Sequence, residues 1–240
     1  MRLLDLSLQS PEENLACDEF LLDRVEHGDA EILRFWESTV PFVVLGVSQV
    51  LREHVAERAC EADGIPVLRR CSAGGCVLQG PGCLNYTLVL THDQHPEVAT
   101  IRGSYCYILG RVCEVLRKRG LSASHKGTSD IAIGGQKVSG NAQKRRRRAI
   151  LHHGTLLYGM DPALMERYLR EPAERPQYRG DRTHRGFVRC LPLSADDLRA
   201  GIAEAFGAGP ERIAVARAER AALKALARDK YATDEWTYRR

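Results

Sequence analysis

A chain of 240 residues with 44% hydrophobic and 28% charged side chains has enough apolar material for one packed domain, or one domain with a small appendage. No apolar run approaches the ~20 residues of a membrane-spanning helix, and the N-terminus reaches acidic residues too early for a secretory leader. The net charge of +4 hides a gradient: residues 1–64 carry 14 acidic against 5 basic side chains, whereas 65–240 carry 17 against 30. The later region therefore suits an anionic partner, whether phosphate, nucleic acid or acidic protein. Eight cysteines form no CxxC pair, which argues for reduced thiols in the cytoplasm and against a disulfide framework or zinc.

In chain order, Ser10-Pro11-Glu12-Glu13 reads as a helix start: Ser10 caps, Pro11 suits the first turn and Glu13 completes a capping box. Cys17, Phe20, Leu21 and Val25 then share one face, and Gly28 is the stop. Runs 31–36 and 41–46 read as strands. Leu51, Val55 and Ala59 at spacing four predict a helix over 49–62, ended by Gly64, and 65–70 is the next strand. The segment RRCSAGGCVLQGPGC leads into LNYTLVL, a strand with period-two alternation. Ile101, Tyr105, Ile108, Val112 and Val115 predict a long helix over 98–119. DIAIGGQKVSG predicts a hairpin over 130–140 turning at Gly134-Gly135, and 149–159 is a further strand. Asp161-Pro162 opens a short helix, and 175–190 is basic and irregular. A helix from Ser194 carries Leu198, Ile202 and Phe206, and a helical tail runs to about 228. The pattern is α+β: a mixed sheet flanked by helices over 1–192, with a short helical C-terminal subdomain over 193–240.

Three segments could carry chemistry. The glycines at 74, 75, 80 and 82 let backbone N–H groups approach a ligand while Arg69 and Arg70 enter from the preceding strand. Their spacing matches neither a P-loop nor GxGxxG, so a plain tight turn competes with a ligand loop. Lys137 follows the Gly134-Gly135 turn and precedes Val138-Ser139-Gly140-Asn141-Ala142, a small-residue setting suited to holding phosphate or carboxylate oxygens. Lys144-Arg145-Arg146-Arg147-Arg148 is either a solvated hairpin tip or a docking patch. No aromatic side chains interleave it, which disfavours nucleic acid. His152 and His153 point to opposite faces of a strand and cannot share a metal.

Together, RRCSAGGCVLQGPGCLNYTLVL, GTSDIAIGGQKVSGNAQ and LHHGTLL resemble the catalytic domain of the biotin/lipoate protein ligases, specifically the lipoate–protein ligase A family. The family pattern is approximately RRxSGGGxVxHDxGNLNY, NDIxxxGKKxSGxAxR and HHGTLL, and the resemblance covers about residues 65–160. It implies formation of lipoyl-AMP or octanoyl-AMP from ATP, with Mg2+ on the nucleotide. Transfer to a lysine of an acidic lipoyl-domain protein would follow. By the same resemblance Lys137 is the catalytic lysine. Arg70, Ser72, Gly74 and Gly75 border the acyl and phosphate groups. Asp130, Ser139, Gly140, Asn141 and Ala142 lie against the adenylate, His153 lies near the acyl chain, and Cys83 stands where the family has asparagine. Ala73 and Gln79-Gly80 also depart from the pattern.

The chain ends where complete bacterial ligases continue into an accessory domain, which implies either a separate accessory subunit for adenylation or no adenylation by this chain. Two other readings stand beside this one. The first is an octanoyl or lipoyl transferase acting between carrier proteins without ATP. Its usual cysteine is absent from 114–189, leaving Cys76 and Cys83 as substitutes. The second is a basic RNA- or protein-binding module on the same scaffold.

Overall fold

The computed structural model describes residues 1–173, 175–209 and 215–240, with Ala218 described in its backbone alone. The strands are β1 (Arg2–Asp5), β2 (Ile32–Trp36), β3 (Phe42–Leu45), β4 (Val67–Arg69), β5 (Val77–Gln79), β6 (Cys83–Thr91), β7 (Ala123–Lys126), β8 (Asp130–Ile133), β9 (Gln136–Arg145) and β10 (Ala149–Leu157). The α-helices are α1 (Pro11–Glu26), α2 (Leu51–His54), α3 (Glu57–Asp63), α4 (Ile101–Arg117), α5 (Pro162–Tyr168), α6 (His184–Phe187), α7 (Ala195–Ala205), α8 (Arg217–Leu226) and α9 (Asp234–Thr237). A seven-stranded sheet runs β1-β2-β6-β10-β9-β8-β7, and a three-stranded sheet runs β4-β3-β5. Both are mixed, with β1–β2 and β3–β4 parallel and their other pairs antiparallel. Among the described residues no helix is long and apolar enough to cross a membrane.

Period-two alternation sorts β6 between two cores. Leu84, Tyr86, Leu88 and Leu90 pack with Ile108, Val112 and Leu116 of α4, while Val89 joins Leu15, Leu22 and Val25 of α1 on the opposite face. The small sheet divides likewise: Phe42 and Val44 face the α1 core, and Val43 and Leu45 face a third cluster with Met165, Tyr168 and Phe187. Leu198 and Ile202 of α7 belong to the α4 core, whereas Leu223, Ala227 and Tyr231 pack with α1.

The caps follow the sequence. Ser10 Oγ accepts from Glu13 N–H at 3.2 Å, and Thr100 Oγ1 accepts from Gly103 N–H at 3.0 Å, so the long helix begins at Ile101 rather than at 98. Ile101 therefore lies in the first turn and is exposed, while Tyr105, Ile108, Val112 and Val115 are buried. The helix expected over 49–62 is two short ones. Val55 takes extended geometry to bridge Leu169, and Ala56 N–H donates to Tyr168 O at 2.9 Å, so strand-like pairing interrupts the helix between α2 and α3. Of the C-terminal helical tail, the described part is α8 and the turn Ala227–Tyr231; positions 210–214 lie outside the described residues.

Helix α1 also buries a polar stripe. Arg34 of β2, fully buried, donates to Asn14 O at 2.9 Å, to Asn14 Oδ1 at 2.7 Å and to Asp18 Oδ1 at 2.7 Å. One turn on, Glu19 receives Lys144 Nζ and Lys230 Nζ at 2.5 Å and Tyr231 Oη at 2.7 Å, tying the C-terminal segment to α1 and β9. Burial pushes this carboxyl up, but the three donors outweigh it and hold it at about 2.

Candidate active site

Gly134 and Gly135 have φ of 57° and 78°, the left-handed pair that closes a two-residue hairpin between β8 and β9. Three residues on, the ladder slips: Ala132 opposes Lys137 and Ile131 opposes Ser139, leaving Val138 as the extra residue of a bulge. In a regular strand, positions 137 and 140 would face opposite ways. The bulge puts them on one face, so the Lys137 side chain lies across Gly140, where an added Cβ would sit 2.9 Å from both Cε and Nζ. Lys137 Nζ pairs with Asp130 Oδ1 at 2.6 Å, and Tyr178 Oη donates to Asp130 Oδ2 at 2.8 Å. Burial and the Asp130 carboxylate push the Tyr178 phenol well above its ordinary range, which keeps it a donor.

Lys137 stands where two cavities adjoin. The larger, about 560 Å³, is lined on one side by Asp130 and Gly140 and on the other by Arg170, Arg175, Arg179 and His184. The smaller, about 110 Å³, is enclosed by Leu15, Trp36, Val44 and Val77 together with Asp18 and His153. Gly75, Gln79, Lys137, Gly140 and Thr155 line both. One wall is a closed polar ring. Gln79 Nε2 donates to Thr155 Oγ1 at 2.7 Å, Thr155 Oγ1 donates to Asn85 Oδ1 at 2.6 Å, and Asn85 Nδ2 donates to Gln79 Oε1 at 3.0 Å. The arrangement is a narrow apolar-and-polar chamber opening into a cationic one, with a lysine ammonium at the junction.

Arg70, Gly75, Asp130, Lys137, Gly140, Asn141, Ala142 and His153 thus line these cavities as a group. Ser72 stands just behind the wall, and Gly74 lies in the exposed loop above it. Ser139 is fully buried on the α4 side, where its Oγ accepts from Asn141 Nδ2 at 3.3 Å. Cys83 is buried with Leu157 and Met160 in the third cluster and lines neither cavity. Arg70 is committed to structure: its guanidinium donates to Ser72 Oγ at 2.9 Å, Ala73 O at 2.7 Å and Gly75 O at 2.9 Å. Burial brings it down to about 10, so it stays charged at neutral pH. Among the described residues no three His, Cys, Asp or Glu side chains converge as a metal site; of the residues lining the larger cavity, Asp130 is the carboxylate that could help to hold a metal ion.

Asp18, Gln79, Asn85, Thr155 and Tyr178 are site residues that motif reasoning misses. Asn14 and Asp18 sit four apart beside the apolar face of α1, and that buried polar spacing was the available signal. The basic run is taken up only in part by the acidic helix, through Lys144 on Glu19 and Arg146 on Asp23. Arg146 pairs with Asp23 at 2.8 Å, Arg148 N–H and Ala149 N–H donate to Glu26 Oε2 at 3.0 and 2.9 Å, and Arg145 donates to Val98 O at 2.7 Å.

The model of the lipoyl protein ligase A/B catalytic domain matches residues 10–197, and the chain belongs to that family. It is 30% identical over 266 residues to the octanoyltransferase LipM of Carboxydothermus hydrogenoformans, covering 99% of this chain and 98% of that protein. It is 32% identical over 154 residues to the lipoate-protein ligase LplJ of Bacillus subtilis, a match to 63% of this chain and 44% of the longer relative. Among solved structures, the bi-partite lipoate protein ligase of Thermoplasma acidophilum, described with its E2 lipoyl domain, superposes with a TM-score of 0.86 at 27% identity, covering 99% of this chain and 95% of that one. A lipoate-protein ligase A bound with ATP gives a TM-score of 0.86 at 26% identity and covers 99% and 98%. The chain is thus an enzyme-family member of the lipoate ligase and octanoyltransferase type.

Proposed function

We propose that the protein is a lipoate–protein ligase: it joins lipoate or octanoate to AMP and passes the acyl group to a lysine of a lipoyl-domain protein. The observation that carries this reading is Lys137 at the junction of the two cavities, one ammonium hydrogen held by Asp130 and two free for a ligand. In the first step a carboxylate oxygen of the acid attacks the α-phosphorus of ATP and pyrophosphate leaves. In the second the acceptor amine attacks the acyl carbonyl and AMP leaves with the bonding pair. Lys137 would neutralise the carboxylate and α-phosphate oxygens as they are brought together and again as charge returns to the departing phosphate. The narrow chamber suits the acyl chain and the arginine-lined one the nucleotide. The ATP-bound neighbour supports a nucleotide as substrate, and the bi-partite neighbour supports a separate accessory subunit.

The second reading, carrier-to-carrier octanoyl transfer without ATP, is favoured by the full-length match to LipM. The thiols weigh against it. Burial pushes Cys71 up to about 11, Cys76 up to about 12 and Cys83 higher still, the opposite of what a thiolate nucleophile needs. A Cys71→Ser, Cys76→Ala, Cys83→Ser variant is therefore expected to keep ATP-dependent acylation of a lipoyl domain and to form no covalent acyl-enzyme by intact mass. An acyl adduct on Cys76 or Cys83 with ATP-independent transfer would establish the transferase instead.

A further inference from the structure

The hydrogen bonds around His153 form one chain, whose ends are fixed by a guanidinium that can only donate and a carboxylate that accepts. Arg70 Nε–H can only donate, so Ser72 Oγ accepts from it at 2.9 Å. Asp18 is ionised: burial pushes its carboxyl up, but His153 and Arg34 outweigh that and hold it below the ordinary range. It accepts from Arg34 at 2.7 Å and from Thr87 Oγ1 at 3.0 Å, so at 2.9 Å it also accepts from His153 Nδ1–H. In its neutral tautomer His153 then offers the Nε2 lone pair, to which the Ser72 hydroxyl hydrogen points at 2.6 Å. The chain of groups is thus Asp18, His153, Ser72, Arg70 and then the carbonyls of Ala73 and Gly75.

We infer that Asp18 is a positioning residue for the acyl site. By fixing the tautomer and orientation of His153 it sets the Ser72 hydroxyl, and through Arg70 it holds the glycine-rich loop 73–75 over the chamber. The members of this chain come from three separate elements: α1, β10 and the loop after β4. Ser72 is 1% exposed, whereas Ala73, Gly74 and Gly75 are exposed. The solvent-facing loop therefore hangs from a buried network rather than from apolar packing. The alternative reading of Ser72, His153 and Asp18 as a nucleophilic triad is disfavoured because Ser72 lies behind the cavity wall and Arg70 occupies its oxygen.

The inference rests on the functional reading only for the word acyl, and its first test needs no substrate. Hydrogen–deuterium exchange on the ligand-free chain would follow peptides spanning 71–77 in Asp18→Asn, His153→Ala and His153→Gln. A broken relay is expected to speed exchange there by about tenfold in Asp18→Asn and His153→Ala, with β9 and β10 still protected. His153→Gln, whose amide can donate to Asp18 and accept from Ser72, is expected to restore most of the protection. In lipoate titrations Asp18→Asn is expected to raise KM by about tenfold with a smaller change in kcat. Unchanged loop exchange in both Asp18→Asn and His153→Ala overturns the inference. A normal loop response in a chain that acylates nothing supports it and counts against the functional reading alone.

Discussion

Lys137 acts from where the bulge leaves it. Removing its charge as Lys137→Ala takes away an ammonium that is only partly buried and belongs to no core cluster, so the melting temperature should hold. Acyl transfer should fall ~100-fold, about 3 kcal/mol, the usual cost of one preorganised charge contact. A well-folded mutant with near-normal transfer would take Lys137 out of the mechanism. Gly140→Ala makes a finer test of the same geometry. Its methyl would meet the flexible end of Lys137 at 2.9 Å rather than backbone, so the fold should survive while the ammonium is displaced from Asp130. A loss of about tenfold to a hundredfold in kcat/KM with unchanged thermal stability is expected, in keeping with the cost of ångström-scale misplacement. Lysine and glycine were both legible in the sequence as the QKVSGNA motif, and their common face was not. Alternation alone sets 137 and 140 apart, and the bulge is decided by pairing with β8.

On the strand β10, adjacent histidines have opposite fates. His153 faces Asp18, whereas His152 is fully buried between Tyr86 and Tyr105 with neither ring nitrogen hydrogen-bonded. Burial, with smaller contributions from His153 and His125, brings His152 down to about 3. A folded-state value below the unfolded one means the unfolded chain binds the extra proton. This contribution to stability is therefore whole above about pH 6.5 and is lost as pH falls toward 3, at up to about 1.4 kcal/mol per pH unit. Asp18 and Glu19, both held low, lose stability in the same acid direction. Denaturant melts from pH 7 to pH 4 should show a shallower decline in His152→Phe than in the wild type; parallel declines would refute the assignment. The split of 49–62 into α2 and α3 was hidden for a related reason. Leu51, Val55 and Ala59 keep helical spacing, but Val55 is claimed by a distant partner, Leu169, that local periodicity cannot register.

For the molecule as a whole, the acidic N-terminal part and the basic later part meet along α1. Asp23, Glu26 and Glu19 of α1 take up Arg146, the 148–149 backbone and Lys144. This leaves the guanidinium groups of Arg147 and Arg148, exposed at the hairpin tip and without a hydrogen-bond or ion-pair partner among the described residues, as the members of the run best placed to steer an acidic acceptor. Arg147→Glu should raise the apparent acceptor KM several-fold at low salt and leave acyl-AMP formation unchanged. An unchanged KM would reduce the run to an intramolecular clamp.

The α+β class was legible from the order of strands and helices, and eight of the cavity-lining residues from three motifs. The polar stripe of α1 was not, because Asp18 acquires its role from Arg34 and His153, which the fold alone brings to it. The most direct measurement is intact mass of a lipoyl domain after incubation with this chain, run first with ATP and lipoate or with preformed lipoyl-AMP, which bypasses an accessory subunit, and separately with an octanoyl-carrier thioester and no nucleotide. The ligase account predicts a single acyl addition on the acceptor lysine with release of AMP in the first mixture. Acylation confined to the second mixture would contradict it.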